Sequence, residues 1–429
     1  VTYEVQYYLQ PDEKETDLQK YVAYYPQEEG QEKKALADTQ IRVFPITING
    51  YEKPDSRLIT VRADSSTVVK FYYRKLAAGT EKTAEEQEND DQGLSMELQK
   101  KILEALEQGS STNYTIEEVI YTLHKNEDGT LTIRLNGSTG QEKLVIPDVI
   151  KVAGKTLTIT EIAEKAFYGQ GELKEVVMGS GITKIGKSAF EDCRKLKKVN
   201  IGNNVTVIEE SAFKNCAALE RITISEAVLR IGSHAFEGCK KLKSLVLKEG
   251  LLQIGNKAFY KCSALKNVKI PGSVLQIGKY AFADCKKIGK FSFAQNASLM
   301  RIGDGMLQNA SSLSKIKLPG RLRSIPDHTF RNAVKLENCQ IGSSVTKIGN
   351  SAFQGCKKLQ RLILPGQVQT IGKRTFYQCK KLKKVTIRTV QLRKIGKEAF
   401  KGCASKIQFA VPKGKQTVYA KLLKGKYGK

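Results

Sequence analysis

The residues able to do chemistry in this 429-residue chain are nine cysteines, three histidines and a large excess of lysine and arginine. Eight cysteines, Cys193, Cys216, Cys239, Cys262, Cys285, Cys356, Cys379 and Cys403, each follow a phenylalanine by three residues, and Ala310 and Ala333 take the same slot elsewhere. A slot that accepts alanine asks for a small apolar group, not a thiolate. No pair has CxxC spacing, which speaks against a redox or zinc site. Side chains leaving a column in parallel do not meet a disulfide's geometry, so buried free thiols are expected. Cys339 replaces an inward valine. His124, His234 and His328 are scattered, with no HExxH spacing, and there is no G-x-S-x-G nucleophile elbow. The string from Gly181 to Ser188, GITKIGKS, formally matches a phosphate-binding loop. Its isoleucines, however, hold positions that recur in strings without the match, such as SVTKIGNSAF. The expectation is therefore no catalytic residue, no metal ligand and no cofactor.

The elements that position these residues are set by a repeat. Phe167, Phe190, Phe213, Phe236, Phe259 and Phe282 stand 23 residues apart, followed by Phe330, Phe353, Phe376 and Phe400, with Leu307 in the missing slot. A fixed period of roughly 20–29 residues with leucines and isoleucines at set offsets marks a solenoid of coils too small to bury their own cores. Within LKKVNI, the alternation puts Leu196, Val199 and Ile201 inward and Lys197, Lys198 and Asn200 outward, in a strand parallel to its copy one coil away. Ser211-Ala212-Phe213 reads as a short helical turn that delivers its ring to the core. Two departures stand out. Ile288 and Ile302 are 14 apart and Leu382 and Ile395 are 13 apart, against 12 between Leu242 and Ile254; extra residues of this kind emerge as bulges.

The charge is placed unevenly. Residues 1–94 carry 12 Lys/Arg against 18 Asp/Glu, leaving 59 against 26 in residues 95–429, for a chain net charge of +27. Such a block favours anionic partners or simply solvates an elongated protein, and charge alone does not separate the two. In the outward strand slots between Lys174 and Thr386 there are 13 Lys/Arg and three acids, Glu175, Glu220 and Glu337. Lys198, Arg221, Lys243, Lys266, Lys290, Lys315, Arg361 and Lys384 form the candidate contact line for a polyanion. A second column of pairs, Arg194-Lys195, Lys240-Lys241, Lys286-Lys287, Lys357-Lys358 and Lys380-Lys381, precedes it. Aromatic residues do not interleave with these cations as a single-strand nucleic-acid binder requires, so specific nucleic acid is not expected.

The motifs F-x-x-C-x-x-L-x-x-V/I-x-I and I-G-x-x-A-F over residues 115–410 resemble the BspA-like leucine-rich repeats of bacterial surface proteins. The resemblance implies an exported, non-enzymatic protein of the cell surface or extracellular space that acts in adhesion or host interaction. Residues 1–76, with an opening Tyr-rich strand, Ile48–Tyr51 and a closing strand at Val69–Tyr73, resemble the small β-grasp-like modules of mucin-binding proteins. Such modules are adhesive units or spacers, and spacer is the reading preferred here.

The whole chain is thus expected to be mainly β with short helical turns, a right-handed solenoid of about eleven coils behind a small β-rich domain. The expected segments are a β module at 1–76, an acidic linker at 77–94 and an amphipathic helix at 95–113. A solenoid with an N-terminal hairpin cap follows at 114–410, and a C-terminal cap at 411–429, where Val418, Leu422 and Leu423 suit a closing helix. No apolar run nears the ~18 residues of a membrane span. Val1 opens directly into a strand-like pattern, and the strings LPGR at Leu318 and LPGQV at Leu364 lack the Thr-Gly of a sorting motif, so any leader or anchor is expected outside this chain. The expected use of the fold is binding on the concave sheet, of an extracellular protein or glycan, by a monomer. Polyanion binding and a passive spacer role are the alternatives.

Overall fold

The structure is a computed structural model. It describes residues 140–152 and 155–426, the strands between 113 and 138, Glu104 and, by backbone alone, seven strands between residues 2 and 75. The linker at 77–94 and all but Glu104 and Asn113 of the helix expected at 95–113 lie outside the described residues. Two compact units divide the chain, Val1–Asp90 and Asp91–Lys429. In the first, Thr2–Leu9 pairs parallel with Val68–Lys75 and antiparallel with Val22–Tyr24 and Glu32–Lys34. Tyr51–Glu52 lies on the other side of Val68–Lys75, and Gln40–Val43 pairs with Arg57–Thr60.

The second unit is a β-solenoid built on three ladders. The first consists of twelve parallel strands of three or four residues, from Lys143–Ile146 to Gln408–Ala410, in three hydrogen-bonded stretches. Their side chains alternate exposed and buried, as in Arg221–Ile224, because successive residues of a strand face opposite sides. Leu196 and Ile201 are buried, Val199 is half-buried, and Lys197, Lys198 and Asn200 are exposed, which bears out the inward assignment. The second ladder is made of two-residue strands at the Ile-Gly motif, such as Gln253–Ile254 on Gln276–Ile277. Here coils stack backbone on backbone: a Cβ on Gly255 would sit 2.5 Å from the Gly232 carbonyl carbon. That close approach is why the motif carries glycine.

The third ladder runs through the turns that carry phenylalanine. The Phe N–H groups of the column from Phe167 to Phe376 donate to a carbonyl of the next coil, Phe190 to Ala212 at 2.7 Å and Phe353 to Thr375 at 2.8 Å, and Phe400 donates to Lys426 beyond the terminal helix at 3.0 Å. The segment is a run of i→i−3 turns, not a continuous helix. Residues two before and two after the phenylalanine are left-handed, as at Ser188 (φ 52°) and Asp192 (φ 62°). For residues with a Cβ this conformation costs about 1–2 kcal/mol. It is held by bonds to the neighbouring coil, Ser188 N–H to Glu210 and Asp192 N–H to Lys214, both 2.8 Å.

The rings delivered by these turns form the spine. Phe167 to Phe282 stack face to face with centroids 5.0–5.2 Å apart and planes within 9°. Leu307 interrupts the series, and Phe282 packs edge-on against Phe291 at 5.1 Å. The stack resumes at Phe330 and runs to Phe400.

Both irregular coils resolve locally. The two extra residues before Ile302 form a turn at Ala294–Ala297, after which Ser298 rejoins Gly272 at 2.9 Å. The extra residue before Ile395 lies in the segment 388–392, which the C-terminal helix α1 (Gln416–Leu423) secures. The Tyr419 hydroxyl donates to the Thr389 carbonyl at 2.9 Å and accepts the Leu392 N–H at 3.2 Å. The inward residues of α1 are therefore Tyr419 and Leu423, with Leu422 partly buried; Val418, expected to face inward, is 50% exposed. At the other end, the hairpin Val119–Lys125/Leu131–Ser138 pairs parallel with Lys155–Ile162, which starts the Ile-Gly ladder.

Because Phe259 is fully buried between two stacked rings, Phe259→Ala is expected to cost about 3–5 kcal/mol by cavity formation. Urea unfolding measures it; a loss below about 1 kcal/mol would mean that the spine is not the core.

Candidate ligand-binding face

The eight cations proposed as a contact line are all exposed on the face of the longer strands. Register divides them into two columns. Lys198, Arg221, Lys290, Lys315, Arg361 and Lys384 share one, as shown by Lys290 opposite Lys315 and Arg361 opposite Lys384. Lys243 and Lys266 stand one residue earlier, beside Ser244 and Asn267, which hold the in-register positions. The line is therefore staggered, as the repeat itself implies: Lys243 and Lys266 follow their phenylalanines by seven residues, and the other six follow their phenylalanine or Leu307 by eight.

Ion pairs divide the face further. Lys198 lies 3.8 Å from Glu175 and Lys243 lies 3.5 Å from Glu220, each acid 23 residues earlier in the preceding coil. Lys195 bonds Glu172 at 2.7 Å and holds that carboxyl below its usual pKa. Arg221, Lys266, Lys290, Lys315, Arg361 and Lys384 have no carboxylate partner among the described residues. Along this line the cations without a carboxylate partner thus begin at Arg221, with Lys243 the one exception beyond it. At the edge of the line is a shallow groove of 510 Å³ lined by Lys240, Lys241, Lys243, Lys286, Lys287, Glu220, Ser263 and Ala264.

Gly181–Ser188 contains the two-residue strand Lys184–Ile185 and runs into the phenylalanine turn, with Ile182 and Ile185 buried. No helix N-terminus follows to hold a phosphate. His234 pairs with Glu237 three residues on, and the His124 side chain lies outside the described residues. Among the described residues no cluster of metal-ligating side chains occurs, and no helix is long and apolar enough to cross a membrane.

The nine cysteines are free, all buried except the half-buried Cys403. The column slot does more than fill a small space. Each thiol donates to the carbonyl of the phenylalanine one coil earlier, as Cys193 to Phe167 at 3.0 Å and Cys285 to Phe259 at 3.0 Å. Sequence reasoning found the column from its spacing but missed this bond, since alanine in two coils concealed the polar role.

The stacked parallel coils and capped ends define a leucine-rich-repeat solenoid. The chain belongs to the BspA type leucine-rich repeat family, which matches residues 160–289 and 300–426. It is similar in structure to a leucine-rich cell surface protein of Faecalibacterium prausnitzii (22% identity, 73% of this chain and 98% of that one, TM-score 0.41). It is likewise similar to the pneumococcal vaccine antigen PcpA (21%, 74% and 96%, TM-score 0.47). A third similar structure is a leucine-rich repeat protein of Bacteroides ovatus (25%, 70% and 100%, TM-score 0.35). Among curated proteins, none matches this sequence.

Burial pushes the Cys193 thiol up to about 12, and raises Cys239 and Cys339 as well. The folded state then keeps protons that the unfolded chain releases. This stability is fully present below the unfolded thiol pKa of about 8.5 and is lost as pH rises toward the folded values. The urea midpoint is expected to hold to about pH 8 and fall above about pH 9, less steeply in Cys239→Ala. An identical pH profile in that variant would remove the thiols as the cause. Alkylation near neutral pH should label Cys403 first and the other eight only after denaturation.

Proposed function

We propose that the solenoid is the ligand-binding part of a non-enzymatic, exported surface protein of the adhesin type, and that its ligand is an extended polyanion along the long-strand face. A sulfated glycan or an anionic wall polymer has the required chemistry. The observation that carries this reading is the column Arg221, Lys290, Lys315, Arg361 and Lys384, exposed and without carboxylate partners among the described residues. A single exposed ion pair contributes at most about 1 kcal/mol and is screened by salt. Recurrence along one column lets many such contacts act on one polymer. Family membership favours export. The net positive charge also opposes self-association and favours a monomer.

A protein ligand is the second reading. Leu229, Leu252, Leu275 and Met300 stand exposed in four successive coils beside the Ile-Gly ladder, an apolar stripe on a different face from the lysines. For residues 1–76 we keep the spacer role; the parallel pairing of the first and last strands supports the β-grasp-like reading.

Retention on immobilised heparin and on wall polymer, at low and physiological salt, tests the polyanion reading. Replacing Arg221, Lys290, Lys315 and Lys384 by Glu is expected to lower the eluting salt sharply. Equal retention of parent and variant would reduce the basic face to a solubility feature and return an uncharged or protein ligand to first place.

A further inference from the structure

The lysine pairs at the edge of the long-strand face are not distributed evenly. In six successive coils, the slot four and five residues after the phenylalanine or its equivalent reads Arg194-Lys195, Ala217-Ala218, Lys240-Lys241, Ser263-Ala264, Lys286-Lys287 and Ser311-Ser312. Cationic and small pairs alternate coil by coil. Steps of 5.2 Å from Phe236 to Phe259 and 5.1 Å from Phe259 to Phe282 set the stacking distance. Lys240-Lys241 and Lys286-Lys287 are thus two coils, about 10 Å, apart. The coil between them is the floor of the 510 Å³ groove, where Ser263 and Ala264 leave open the space that two more lysines would fill.

Two physical consequences follow. Ammonium groups on adjacent rungs would repel across about 5 Å, whereas those two rungs apart are separated by more than the Debye length of about 8 Å at physiological ionic strength. An anion seated over the small coil is then flanked by cations from both sides. The groove contains one acid, Glu220, and it is held by Lys243 at 3.5 Å. The corresponding notch over Ala217-Ala218 is compromised on one side, because Lys195 is bound to Glu172 at 2.7 Å and Arg194 lies 3.3 Å from Asp192. Lys240, Lys241, Lys286 and Lys287 have no such partners among the described residues. Lysine ammonium groups act as point charges on flexible stems and do not read a planar shape. What this edge measures is therefore the interval between charges.

We propose that the notch over Ser263-Ala264 is the primary anchoring subsite for a linear anionic polysaccharide that carries one charged group per disaccharide, the alternating lysine pairs matching that interval. This rests on the polyanion reading above and adds to it the location and the spacing. Binding of the full chain to hyaluronan oligomers, with one carboxylate per disaccharide, to the denser heparin, and to poly(glycerol phosphate) tests it at physiological salt. Lys240, Lys241, Lys286 and Lys287 to Glu should lower hyaluronan affinity on the order of tenfold or more, as several exposed ion pairs are lost together. The same charge change at Lys357, Lys358, Lys380 and Lys381, where the cationic pairs sit on adjacent coils, should cost much less. Filling the notch with Ser263→Lys and Ala264→Lys should weaken hyaluronan binding while strengthening heparin binding. If the filled notch strengthens both, or if the two Glu variants lose hyaluronan equally, the spacing proposal is wrong while polyanion binding stands. Preference for poly(glycerol phosphate) over hyaluronan would also overturn it. If the parent binds none of the three polymers, the polyanion reading itself falls.

Discussion

Coil-to-coil register is the constraint on which the rest of this structure depends. Each coil returns the chain to a point one rung along, so that a residue lies beside its own equivalent, as Glu175 beside Lys198 and Lys384 beside Gln408. Backbone groups that a lone 23-residue unit would leave open are paired with the next unit. Those bonds also hold left-handed residues such as Lys257 and Tyr280 in place. The strain supports the architecture, because two left-handed residues around each phenylalanine bend the chain sharply enough to drive the ring inward. Stacking then makes the rings a spine, the thiols a column and the glycines a contact line.

A repeat held in this way tolerates irregularity only where something else takes over the bonds. Leu307 cannot continue the ring stack, and Phe291 from a neighbouring strand fills against Phe282 instead. The segment 388–392 carries an extra residue, and Tyr419 of the terminal helix supplies the missing donor and acceptor. The cap and the insertion are thus one arrangement. An unpaired buried backbone group would cost on the order of 1–3 kcal/mol there.

Charge obeys the same register. Several acids sit where a cation of the following coil can reach them, and the separation in sequence is the repeat itself: Glu172 with Lys195, Glu191 with Lys214, and Glu220 with Lys243. These pairs consume part of the cationic surface near the N-terminal end of the solenoid. Farther along, acids become scarce in those slots, and the same stacking that pairs opposite charges lines up like ones. A row of like charges is destabilising to the bare fold and gains a favourable role only with a polyanion or counter-ions beside it.

The sequence by itself determined the period, the inward leucines and isoleucines, the phenylalanine slots, the thiol column, the basic strand face and the sites of extra residues. All of these follow from periodicity, and periodicity is written in the order of residues. The sequence even contained the stagger of the basic line, since Lys243 and Lys266 follow Phe236 and Phe259 by seven residues where Lys290 and Lys315 follow Phe282 and Leu307 by eight. It misplaced Val418 for Tyr419, since a short helix offers several apolar stripes and only the docked orientation selects one. It also left hidden the thiol-to-carbonyl bonds and the division between paired and unpaired lysines. Those belong to the tertiary structure, because they join atoms a full coil apart whose distance is fixed by how one coil sits on the next.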